Sequence, residues 1–132
     1  MATQPDLHPD ALDAKLEHIR DNCDAIYLVD GYTARQSWGT LTVVASGVID
    51  GTVTYWSAIE DAATVNRRIQ FLGAPATVSG DHTGTDLGML IVDAGNSKVL
   101  AASDETANLN LNDGEEVNMP PWWIYSLQAA QV

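Results

Sequence analysis

The apolar period changes once along this chain, and the change limits the folds open to it. Leu12, Leu16, Ile19 and Cys23 stand at i, i+4, i+7 and i+11, a single stripe at helical spacing. Pro9 suits a first helical turn, where its missing N–H costs nothing. Asp10 and Asp13 sit toward the positive end of the helix dipole and Arg20 toward the negative end, and Asn22 is a stop signal. The spacing predicts a helix over about residues 9–22.

Beyond Cys23 the period is two. Strands are expected at 25–29, 41–49, 52–59, 67–72, 76–79, 84–92, 98–102, 107–111, 115–119 and 122–127, with Gly, Asp, Asn and Pro between most of them. The Asp50-Gly51 dipeptide between two β-prone runs predicts a hairpin of 41–49 with 52–59. One helix followed by short strands at this turn spacing predicts a mainly β chain: an antiparallel β-sandwich, jelly-roll-like, with one short N-terminal α-helix. The expected layout is a single domain over 1–132, with residues 1–8 an arm, 9–23 the helix and 25–132 the sandwich.

Eighteen acidic against six basic residues give a net charge of −12. That balance argues against nucleic acid, whose readers depend on Lys and Arg at phosphates, and against anionic lipid surfaces. No apolar run approaches the ~20 residues of a membrane span. A lone cysteine forms no internal disulfide, and residues 1–10 are polar and acidic, so a chain made in a reducing cytoplasm without a signal peptide is expected.

Side chains with reactive chemistry are scattered. His8, His18 and His82 have no metal-ligand spacing and read as solvated. The oxygen-rich run 81–86 matches no calcium loop and reads as a polar hairpin end. Cys23 lies in the apolar stripe, where a thiol acts as a small hydrophobe with a raised pKa. Paired carboxylates (Glu60-Asp61, Asp104-Glu105, Glu115-Glu116) would point to opposite faces of a strand and serve turns or acidic edges. No cofactor and no catalytic constellation are expected.

Aromatic residues are the better lead. Trp38, Trp56, Trp122 and Trp123 accompany a single Phe. One of Tyr55-Trp56 must face the core. Trp122-Trp123 must split between faces, with Trp123 the residue expected inside and Trp122 expected at an intermolecular contact. Trp38, Trp56 and Trp122 are thus interface candidates, joined by the basic pair Arg67-Arg68, which an acidic neighbour could meet, and by Leu7 of the arm.

The order of these segments resembles a family of small tailed-bacteriophage virion proteins. The residues that carry the resemblance are the helix-to-strand run LDAKLEHIRDNCDAIYLVDG, a tyrosine-containing loop, RRIQFL, ATVSG, GTDLGMLIVDAGNSKVLAAS, a DG turn and PPWWIYSL. Gly84, Thr85, Ile91, Val92, Asp93, Asn96, Ser97, Val99 and Leu100 match the family pattern G-T-A-x-x-x-A-L-V-D-x-x-N-S-x-L-L. The Leu41–Glu60 hairpin departs from it, since the family has a loop there. The resemblance implies a non-enzymatic capsid decoration (cement) protein, a homotrimer on the virion surface whose partner is the major capsid protein. A head–tail connector, tail or baseplate protein is the alternative within that class. A carbohydrate-binding sandwich using Trp38, Trp56 or Trp122 is the alternative outside it.

Overall fold

A computed structural model describes residues 8–32, 41–62, 66–84, 87–105 and 109–127. Leu7 and Trp38 lie outside them, as do Thr85 and Asp86 of the oxygen-rich run.

The helix α1 spans Pro9–Asn22. Pro9 opens it, and the His8 side chain accepts the Asp10 N–H through Nδ1 at 3.1 Å, which satisfies one of the orphan donors of the first turn. At the other end the Asn22 side-chain amide donates to the His18 carbonyl at 2.8 Å, and Cys23 turns extended. Leu12, Leu16 and Cys23 are buried and Ile19 half-buried, so the predicted stripe is the buried face.

Eleven strands follow among the described residues: β1 (Ala25–Asp30), β2 (Val43–Val48), β3 (Glu60–Asp61), β4 (Arg67–Phe71), β5 (Ala74–Val78), β6 (His82–Gly84), β7 (Leu87–Asp93), β8 (Lys98–Glu105), β9 (Leu109–Leu111), β10 (Glu116–Met119) and β11 (Trp122–Ser126). All pairings are antiparallel. They make a six-stranded sheet of order β10-β5-β2-β1-β7-β8, a three-stranded sheet β11-β4-β3 and a small pair β6-β9. The chain is therefore mainly β with one helix, as its periodicity predicts.

The main core joins the two larger sheets. Ile26, Leu28, Val44, Ala76, Val78, Met89 and Ile91 of the six-stranded sheet meet Ile69 and Phe71 of β4, with Leu16 and Cys23 from the helix end. A second cluster, Val29, Leu90 and Val92, occupies the opposite face of the large sheet. Strand β7 is thus buried on both sides, which explains its unbroken apolar run Met89–Val92. The chain crosses between sheets at Gly73 and at Pro120-Pro121. Gly73 has a φ of 94°, and a Cβ there would stand 2.7 Å from the Met119 carbonyl oxygen, so this corner needs glycine.

The predicted 41–49/52–59 hairpin does not form. Strand β2 is paired on one side with β1 and on the other with β5, which leaves no free edge for residues 52–59. Asp50 instead makes a local turn: its carboxylate accepts the Thr52 N–H at 3.0 Å, and the Tyr55 N–H donates to the Thr52 carbonyl at 3.2 Å. The Trp56 indole N–H then donates to the Asp50 carbonyl at 2.8 Å, and its ring goes into the core edge-on to Phe71. Burying that ring outweighs the β-propensity of the segment.

Candidate functional site

The two faces of the β4–β11 pair meet different surroundings. Register places Ser126 opposite Arg67, Ile124 opposite Ile69 and Trp122 opposite Phe71 on the face toward the core. Tyr125 opposite Arg68 and Trp123 opposite Gln70 lie on the outer face, with exposed Leu72 and Leu127 beside them. Trp122 and Ile124 pack against the main core. The expected roles of the tryptophan pair are therefore reversed: Trp122 faces inward and Trp123 outward. The reason is register. Trp122 falls opposite Phe71, which is fully buried, and that sets the phase of the whole strand. Trp56, at 2% exposure, is also core and presents no ring to a partner.

The basic pair divides in the same way. Arg67, on the inner face, donates through Nε to Asp13 of α1 at 2.7 Å and through Nη1 to Asp61 of β3 at 2.6 Å. Hydrogen bonds from its guanidinium to Asp13, then to Asp61, hold its pKa well above the ordinary value. This one side chain ties the helix to the edge strand of the small sheet. Arg68, on the outer face, bridges Glu60 at 2.7 Å and lies over the Trp123 ring, 3.9 Å from its centroid. Its pKa is likewise raised, first by the hydrogen bond to Glu60 and next by one to Tyr125. Both arginines thus pair inside the chain, and Glu60-Asp61 is an edge whose two acids each meet one of them.

Several other polar side chains make local ties. Burial pushes the Cys23 thiol up to about 11, and its Sγ donates to the Arg20 carbonyl at 3.0 Å. Asp24 accepts the N–H groups of Ala94 and Gly95 at 2.8 and 3.2 Å and so shapes the turn after β7. Within that turn Asn96 donates to Asp93 at 2.8 Å, and Ser97 is left-handed at φ 55°. Asp81 accepts the Asp113 N–H and Asp113 accepts the Gly80 N–H, both at 2.9 Å, so this acidic corner serves two turns. His82 is not simply solvated: its Nε2 lies 3.2 Å from Asp30, and both side chains are partly covered. No group of three or more metal-ligating side chains converges among the described residues. No helix among them is long and apolar enough to cross a membrane.

What stands out is the outer face of β11 and β4. Tyr125 is 49% and Leu127 57% exposed, beside Trp123, Leu72 and the Arg68–Glu60 pair. With Trp123 expected inside, the two-residue period does not point to this face. A signal was present: from Val117 to Val132 the chain holds no Asp, Glu, Lys or Arg, in a protein of net charge −12. No protein-family model matches this chain, and no curated protein or solved structure is significantly similar to it.

Proposed function

We propose that this chain is a non-enzymatic structural subunit of a bacteriophage virion, a capsid decoration protein that docks on the shell as a homotrimer and binds the major capsid protein. The observation that carries the reading is the outer face of β11 and β4. It is aromatic, and its cation Arg68 is balanced by Glu60, on a domain whose acidic coat otherwise keeps copies apart. Arg67, Arg68 and several of the acids serve ties within the fold, so this surface is suited to contact rather than to chemistry. A repeated, symmetric subunit needs only a modest contact per copy, since several copies dock together.

The test is the place and number of this chain in intact particles. Quantitative gel analysis of purified virions should find it in hundreds of copies, and purified protein should bind expanded capsids that lack it. A count of about six or twelve, the content of a single ring, would move the chain to the neck or tail. Absence from the particle would overturn the proposal.

A further inference from the structure

We infer that the outer face of β11 and β4, with Trp123 clamped under Arg68 and flanked by Tyr125, Leu127 and Leu72, is the surface on which a second copy of this chain docks. The inference rests on the assembly reading above and deepens it by naming the face and its occupant.

Charge selects the occupant. Two molecules of net charge −12 repel unless they approach through surface of low local charge. The outer face has that property: its strand residues Gln70, Trp123 and Tyr125 are uncharged, and Arg68 is balanced by Glu60 across β3–β4. A face with one cation and one anion is complementary to itself. Around a closed symmetry axis Arg68 of one copy can approach Glu60 of the next, whereas a partner surface of single sign would oppose one of the two. The residue types agree, because Trp, Tyr and Arg are the side chains that anchor protein interfaces.

Structure also explains how the face is held ready. Trp123 is fixed from above by the Arg68 guanidinium at 3.9 Å, and Arg68 is fixed by Glu60 at 2.7 Å. The ring therefore loses little freedom on docking, which favours affinity. Val48 and Val53 are the more exposed aliphatics, at 79% and 88%, yet they are not part of this aromatic face and serve as controls.

The experiment is the mass of the full chain in solution, by light scattering and sedimentation up to millimolar concentration. The wild type should be a closed oligomer of two or more chains. Tyr125→Glu and, separately, Leu127→Asp should weaken association by about tenfold or more, while Val48→Glu and Val53→Glu leave it unchanged. Circular dichroism checks that each variant is folded; if one is not, the other decides. Arg68→Glu, which removes the cation over Trp123, should weaken association as well. A monomeric wild type, an oligomer indifferent to Tyr125→Glu and Leu127→Asp, or one equally sensitive at Val48 would overturn the inference. A monomeric wild type would also remove the homotrimer from the proposed function, whereas the other two results bear on the face alone; the virion role itself is tested separately, by the copy number in particles.

Discussion

The inner and outer faces of the β4–β11 pair are built from the same two strands and have opposite fates. Inside, Ile69 and Phe71 meet Trp122 and Ile124 at the main core, and Arg67 is enclosed by carboxylates of the helix and the edge strand. Outside, Arg68 covers Trp123 and pairs with a half-exposed Glu60, while Tyr125 and Leu127 stand in water. Neighbouring residues of one type (two arginines, two tryptophans) are thus set to different tasks by the two-residue period of the strand. Composition alone does not distinguish them; phase does.

The comparison is broken most severely at Phe71. Truncating this fully buried ring to alanine should cost about 3–5 kcal/mol. The adjacent Leu72→Ala, on a side chain 41% exposed, should cost under about 1 kcal/mol. Urea denaturation of the two variants measures the contrast, and similar midpoints would show that the phase assigned to β4 is wrong.

The arginines give the next effect. Arg67→Ala leaves Asp13, whose side chain is 14% exposed, without its cation and unties α1 from β4 and β3. Arg68→Ala removes a pair with a half-exposed acid, an arrangement worth little to stability. The melting temperature should fall clearly for the first and barely for the second. Hydrogen exchange should show the first loss concentrated in α1, and equal losses would remove the proposed tie.

Much of this was legible beforehand, for identifiable reasons. The helix bounds followed from local chemistry: Pro9 at the start, the stripe ending at Cys23, Asn22 at the stop. The change of period announced a β fold. Strand phase was harder. Trp122 and Trp123 are equally aromatic, and only the long-range pairing of Trp122 with Phe71 decides which one turns inward. The hairpin at Asp50-Gly51 failed for the same kind of reason. Its local signal was sound, but β5 at Ala74–Val78 takes the edge of β2. The salt bridge joining Asp13 and Arg67 spans 54 residues, a separation no local pattern reports.

A smaller effect probes the interior near the helix end. The Cys23 thiol is raised from 9.0 to about 11 by burial. An acid with a raised folded pKa keeps its proton longer in the folded state. Stability is therefore level below pH 9, falls as pH rises from 9 to about 11, and levels again above. With some of the shift screened by water, the fall should be about 1–2 kcal/mol. It is read as the difference between wild type and Cys23→Ala across that range. Parallel curves would mean that the thiol is as accessible as a surface one.

The smallest effect has the unusual sign. Ser126 is 2% exposed on the inner face, and its Oγ has no hydrogen-bond partner among the described residues. A buried hydroxyl without a partner carries its desolvation cost uncompensated, so removing it relieves that cost. Ser126→Ala should stabilise the protein by about 0.5–1 kcal/mol, seen as a higher urea midpoint at unchanged slope. Ser57 supplies the contrast: its Oγ donates to the Ala58 carbonyl at 3.0 Å and accepts the Gln70 N–H at 2.9 Å, so Ser57→Ala should destabilise by a similar amount. Opposite signs for two serines bordering the same small sheet would confirm that β11 turns its hydroxyl, and with it Trp122, toward a dry interior. A loss at Ser126 would place that hydroxyl against a partner and shift the boundary between the two faces.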